Sequence, residues 1–136
     1  MFSHVFVGVT DFDRAFAFYA PLMTALGLKH RFTEPDRPWA GWQPSSQDRP
    51  LFLIGRPFDE SAHVPGNGQM VAFLAADRAT VDRVHALAIA QGGASEGEPG
   101  LRPDYHANYY GAYFRDLDGN KLCVACHDAE RPGFNS

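Results

Sequence analysis

The chain has 136 residues, 45% of them hydrophobic and 21% charged, enough for one core and too few for two independent domains. Its formal net charge of -4, with 12 Lys and Arg scattered along the chain, forms neither the basic stripe of a nucleic-acid binder nor a polybasic membrane patch. No apolar run approaches the ~18 residues of a membrane span, and the N-terminus lacks the basic-then-apolar layout of a secretory signal. A cytoplasmic protein without nucleic-acid or membrane partners is therefore expected, with both cysteines reduced.

The first element is a strand over about Ser3 to Val9, with Val5, Val7 and Val9 on one face and His4, Phe6 and Gly8 on the other. Asp11 is suited to cap a helix in which Phe12, Ala15, Phe16, Tyr19, Leu22, Met23 and Leu26 recur at helical spacing until Gly27. Pro21 is expected to kink that helix or end its first part. Three short strands follow, near Leu28 to Thr33, Trp39 to Gln43 and Leu51 to Gly55. These elements compose a βαβββ unit over about residues 1–55. Residues 56–68, with Pro57, Pro65, Gly66 and Gly68 and little apolar pattern, read as a linker.

The second unit, about residues 69–127, repeats the first at a constant offset, with Asp11 falling on Asp77, Ala20 on Ala86 and Gly27 on Gly93. Gln69 to Ala75 is its strand, and Met70, Ala72 and Leu74 occupy the face equivalent to that of His4. Asp77 caps a helix reaching about Gln91. A loop rich in Gly, Glu and Pro runs to about Asp104, within which the repeat requires a weak strand near Ala94 to Pro99. A hairpin closes the unit, with arms Asn108 to Arg115 and Lys121 to Cys126 joined by Asp116-Leu117-Asp118-Gly119-Asn120, where Asp-Gly is a strong hairpin signal; a C-terminal tail follows. With a two-residue turn, Tyr110 pairs with His127, and Ala112 and Phe114 share the face of Cys123; a one-residue slip places Tyr109 and Tyr113 there instead.

Several local motifs read as structure. Cys123-Val124-Ala125-Cys126-His127 has the spacing of haem attachment, yet residues three apart on a strand point to opposite faces and cannot share a haem, a metal or a strain-free disulfide. Cys126 is expected under the helices, with Cys123 and His127 facing a cavity. Asp116 to Asn120 resembles the start of a calcium loop but has Lys121 and His127 where Gly and Glu are needed. The densest run of proton-handling groups is Arg102 to Tyr110, with Tyr105, His106, Tyr109 and Tyr110, a candidate rim over a ligand. Trp39 and Trp42 are candidate aromatic walls.

The duplicated unit, with His4-Val5, Phe18-Tyr19, Gly27-Leu28, Val71-Ala72-Phe73 and Asp116-Leu117-Asp118-Gly119-Asn120-Lys121-Leu122 in that order, resembles the vicinal oxygen chelate superfamily, which includes glyoxalase I, extradiol dioxygenases and bleomycin-resistance proteins. The resemblance covers nearly the whole chain. It implies an α+β fold in which two βαβββ modules form curved mixed sheets around a cavity, with helices outside. It places metal ligands, commonly His, His and Glu, on the first strand of each unit and the last strand of the second, with an optional one on the last strand of the first. Those positions here are His4, Met70 and Cys123, with Leu51, Phe52 or Leu53 at the optional site. Only His4 matches, so no cofactor is expected; a divalent metal would draw on His4 and Cys123, and copper(I) or zinc on the softer set of His4, Met70 and Cys123.

Two functions follow as expectations: a lyase or isomerase acting on a small oxygenated or thiol-conjugated metabolite, or a non-catalytic protein that sequesters an aromatic or cationic compound. His4, His106, Tyr110 and Cys123 are the candidate catalytic residues, and Trp39, Phe52, Met70, Tyr109, Phe114 and His127 the candidate binding residues. A homodimer is expected from the exposed sheet edges.

Overall fold

The computed structural model describes residues 1–130, so the tail expected after residue 127 lies partly outside the described residues. The element order is β1 (His4–Gly8), α1 (Phe12–Ala25), β2 (Lys29–Glu34), β3 (Trp39–Gln43), β4 (Leu51–Gly55), β5 (Val71–Leu74), α2 (Arg78–Ala90), β6 (Ala94–Leu101), β7 (Tyr110–Arg115) and β8 (Lys121–Cys126). Two four-stranded mixed sheets result, ordered β1-β4-β3-β2 and β5-β8-β7-β6. In each, the first strand runs parallel to the last, and the other pairings are antiparallel. No described helix is long and apolar enough to cross a membrane.

The alternation read from the first strand decides which face meets the helices. Val7 and Val9 are buried in the core, whereas His4 and Phe6 are exposed on the opposite face. One hydrophobic cluster spans both units, joining Phe18, Tyr19, Leu22 and Met23 of α1 to Val81, Val84 and Ala88 of α2 and to Phe114, Leu122 and Val124 beneath them. Burying each large side chain contributes roughly 1.5–3 kcal/mol. Phe52 meets Phe73 across the unit boundary with ring centroids 4.9 Å apart.

Both expected caps form: Asp11 accepts from the Arg14 amide at 3.1 Å and Asp77 from the Thr80 amide at 2.8 Å. Gly27, at φ 77°, ends α1, and the Leu28 amide reaches back to the Met23 carbonyl at 3.0 Å. Of the two outcomes expected at Pro21, an end to the first part of the helix does not occur, because α1 runs continuously through it. Proline removes the bond to the carbonyl of Ala17, an exposed residue where water can replace it, while Phe18, Tyr19, Leu22 and Met23 bury the opposite side.

The weak strand near Ala94 extends to Leu101 despite poor local propensity. Its register shifts between Ser95 and Gly97 and again between Gly97 and Gly100, the mark of bulges. Tertiary bonds hold it: His85 of α2, 5% exposed, meets Ser95 Oγ at 3.0 Å, and Arg115 donates to Glu96 at 2.5 Å.

The hairpin loop is organised by one carboxylate. Asp116, 6% exposed, accepts from the amides of Asp118 and Asn120 at Oδ1, each at 2.9 Å, and from the Tyr19 hydroxyl at 2.5 Å and Asn120 Nδ2 at 2.9 Å at Oδ2. This five-residue loop pairs Arg115 with Lys121 and Tyr113 with Cys123. The register is therefore the slipped alternative, and Phe114 faces the core.

Burial, then the Asp116 charge and its hydrogen bond, raise the Tyr19 phenol well above its ordinary range. A group whose pKa is raised by folding contributes stability that is fully present below its unfolded value of about 10 and is lost as pH rises past it. Tyr19→Phe is expected to cost about 1–2 kcal/mol at pH 7 in urea unfolding. It should also flatten the decline in stability above pH ~10; an unaltered alkaline decline would contradict the role given to this phenol.

Candidate functional site

The inner faces of the two sheets carry separate depressions. On the first unit, His4, Phe6, Trp39, Leu53, Phe58 and His63 line a space of about 560 Å³. His4 is exposed and bonds Ser3 Oγ at 2.9 Å. The Trp39 ring lies under the Arg37 guanidinium, 5.1 Å from its centroid, and its Nε1 is buried with no hydrogen-bond partner among the described residues. Trp42, by contrast, is 3% exposed and stacks on Phe16 with centroids 5.7 Å apart.

On the second unit, Met70, Tyr105, Tyr109, Tyr113, Lys121 and the linker around Gly66 border a depression of about 790 Å³. The slipped hairpin register puts Tyr113 opposite Cys123, and Tyr109 closes over them. Its hydroxyl lies 3.0 Å from the Tyr113 hydroxyl and 3.5 Å from Cys123 Sγ. Arg102 and Lys121 sit 5.6 Å and 5.7 Å from the centroid of the Tyr113 ring. Among the described residues neither cation has a carboxylate within salt-bridge distance. His106 Nε2 meets His127 Nδ1 at 2.8 Å beside Tyr109, both rings exposed.

Electrostatics fix the protonation of this cluster. Burial pushes the Tyr109 phenol far above its usual range, reinforced by its bonds to Cys123 and Tyr113, and burial likewise raises Tyr113. Burial also raises the Cys123 thiol, against the opposing pull of both tyrosines and of Arg102 and Lys121. At neutral pH the three groups are therefore protonated donors, not bases.

The model of the Glyoxalase/Bleomycin resistance protein/Dioxygenase superfamily matches residues 1–124. The chain belongs to this superfamily. A glyoxalase/bleomycin resistance protein from Albidiferax ferrireducens T118 is 34% identical over 93% of this chain and 98% of its own, with a TM-score of 0.82. Two more distant structures share the fold. A family enzyme from Burkholderia phytofirmans PsJN is 18% identical over 93% and 98% of the two chains, with a TM-score of 0.68. Lactoylglutathione lyase from Agrobacterium tumefaciens is 23% identical over 93% and 92%, with a TM-score of 0.61. No curated protein matches the chain.

The superfamily's metal positions can be tested against the side chains that stand there. Among the described residues no group of three or more His, Cys, Asp or Glu is gathered to hold an ion. His4 borders the first depression, Met70 the second, and Cys123 is fully buried with its thiol held protonated beneath Tyr109. One imidazole, one thioether and one protonated thiol do not fit a hard divalent ion.

The remaining candidates divide by face. Tyr109 and Met70 line the second depression, with His106 and His127 at its edge, and Trp39 lines the first. Tyr110 points the other way. Its hydroxyl donates to Asp82 of α2 at 2.6 Å, and burial with that bond pushes its pKa up to about 12. Phe52 and Phe114, 6% and 0% exposed, belong to the core, packed on Tyr19 and Phe18 respectively. All three corrections have the same origin, strand alternation in the register that forms.

Three side chains at the site escaped the sequence reading: Tyr113, given only as the alternative register, Lys121, treated as a departure from a calcium motif, and His63 in the linker. Only the pairing of a strand glycine, Gly8, with a bulky neighbour hints at His63, since a side chain added at Gly8 would occupy the place of its ring.

Cys126 is 1% exposed in the core and Cys123 is covered by Tyr109. In the folded protein neither thiol should react with a disulfide reagent at pH 8, and both should in urea. Tyr109→Ala should expose Cys123 alone, checked by mass spectrometry of the labelled peptides; labelling of Cys126 instead would contradict the assigned faces.

Proposed function

We propose that the protein binds a small oxygenated organic anion in the second-unit depression without the help of a metal. The observation that carries this reading is Lys121 in the lining of the depression, with Arg102, which also donates to the Glu98 carbonyl, near the same Tyr113 ring, beside a tyrosine cluster whose hydroxyls remain protonated. Cations attract a carboxylate or similar group, phenolic hydroxyls donate to its oxygens, and Met70 and the tyrosine rings cover its apolar part. Raised pKa values on Tyr109, Tyr113 and Cys123 suit recognition better than proton abstraction. The binding members of the superfamily, rather than its metal-dependent ones, are thus the nearer functional analogy for this chain.

A second reading, a metal-free lyase or isomerase, is favoured by the His106 and His127 pair beside Tyr109. Imidazoles in hydrogen-bond contact can relay a proton to a bound molecule. An enzyme would convert its ligand, with turnover but not binding lost in His106→Ala; a binding protein would return it unchanged.

The reading also takes the protein as a homodimer. Phe6 and Leu74, on edge strands β1 and β5, are 45% and 73% exposed, and Met70 beside them 44%. Sedimentation equilibrium should give twice the 15.0 kDa chain mass; a monomer at micromolar concentration would overturn this.

Benzoate and its neutral isostere benzamide test the anion site by calorimetry at low salt. Benzoate is expected to bind about tenfold more tightly, a preference that Lys121→Ala and Arg102→Ala each reduce, that weakens in high salt, and that chelators leave unaltered. Equal binding of the two compounds, or a preference abolished by a chelator, would overturn the reading.

A further inference from the structure

The linker brings one titratable side chain to the junction of the two inner faces. The His63 amide donates to Thr10 Oγ1 at 3.0 Å, its ring rests against Gly8, and its Nε2 is 2.7 Å from Asn120 Oδ1. Hydrogen-bond logic then assigns the tautomer. The Gly8 carbonyl can only accept, so the Asn120 atom 2.9 Å from it is the amide Nδ2. The same Nδ2 also reaches Asp116 Oδ2 at 2.9 Å. The Asn120 atom facing His63 is therefore Oδ1, an acceptor, and His63 Nε2 must donate to it. In the neutral ring Nδ1 is left as a bare lone pair, and no hydrogen bond from the described residues reaches it.

We propose that His63 Nδ1 is the hydrogen-bond acceptor of a second ligand subsite, the first-unit depression, which takes a neutral ring-bearing molecule carrying a hydroxyl or N–H donor. The walls there are apolar, formed by Phe6, Trp39, Leu53 and Phe58. Of the other polar groups that border it, His4 Nδ1 meets Ser3 Oγ, Arg37 lies over the Trp39 ring and Arg56 donates to the Glu60 carbonyl at 2.6 Å, while Trp39 Nε1 is a buried donor without a partner among the described residues. An unpaired acceptor beside apolar walls selects for a donor, because a ligand without one leaves the acceptor dry and unsatisfied. Asn120 is the positioning residue. Tied to Asp116 and Gly8, it holds the imidazole as the Nε2–H tautomer, as an orienting amide or carboxylate does for a histidine elsewhere. This subsite is distinct from the anion site and does not rest on it.

The test uses the full chain, uniformly labelled with ¹⁵N, at a pH where the ring is neutral. Long-range ¹H–¹⁵N spectra should show His63 protonated at Nε2 and bare at Nδ1. Phenol should move the Nδ1 resonance and bind about fivefold more tightly than anisole, which has the same ring and no donor. In His63→Phe the two compounds should bind alike, while the benzoate preference of the second unit persists. A ring protonated at Nδ1, equal binding of phenol and anisole, or phenol binding that leaves His63 unmoved would each overturn the proposal. The measurements on the unmodified protein decide it even if His63→Phe does not fold.

Discussion

The inner surface depends on the Asp116 carboxylate. Its two oxygens take four donors from three directions: the loop amides, the Tyr19 hydroxyl on α1, and the Asn120 side chain. A buried carboxylate with fewer donors would carry a large desolvation penalty, so its surroundings are constrained to supply them. Three consequences follow from the same bonds. The hairpin loop acquires five residues, α1 is tied to the second unit, and Asn120 is aimed at Gly8 and at the linker. The two units share more than apolar surface, since the Thr10 amide also donates to Asp118 at 3.0 Å.

Loop length in turn decides which side chains face a ligand. With Arg115 opposite Lys121, Tyr113, Lys121 and Cys123 share the inner face while Phe114 and Leu122 enter the core. A loop shorter by one residue on one arm would reverse that arm, burying tyrosine hydroxyls in the core and exposing phenylalanine. The core tolerates no such reversal, because Phe114 meets Phe18 and His85 at centroid distances of 6.5 Å and 6.4 Å. Register is therefore fixed from both faces at once: by packing underneath and by the carboxylate at the loop.

This explains which parts of the molecule were legible in the sequence. Valine alternation in β1, the Asp11 and Asp77 caps and the internal repeat each depend on residues near one another in the chain, and each predicted element formed close to its expected bounds. The Asp-Gly hairpin signal left two registers open, since the sequence pattern does not report the side-chain carboxylate of Asp116 that organises the five-residue loop and so decides between them. Pro21 does not end its helix for a related reason: local propensity lost to burial of the neighbouring apolar face. Strand β6 has almost no local signal, and its partners, His85 and Arg115, lie on other elements. His63 was invisible because its place depends on Gly8 and Asn120, residues 55 and 57 positions away in the chain, and no periodicity reports such an encounter.

The superfamily's architecture supplies an inner face; the chemistry of that face is set by what stands on it. At the positions where the superfamily resemblance implies metal ligands stand His4, Met70 and Cys123, a set that does not fit a hard divalent ion, and the His63 ring lines a third space of about 250 Å³ that shares Phe6 and Gly8 with the first depression and Met70 and Lys121 with the second. The first depression has mostly aromatic and aliphatic walls with Arg37, Arg56 and the His63 acceptor at its border; the second carries the tyrosine hydroxyls with Lys121 and Arg115. On the two proposals above, the faces would discriminate by hydrogen-bond polarity and charge. The arrangement is coherent because one network, running from Tyr19 through Asp116 and Asn120 to His63, sets the loop register that orients the tyrosines and the tautomer that leaves His63 Nδ1 bare.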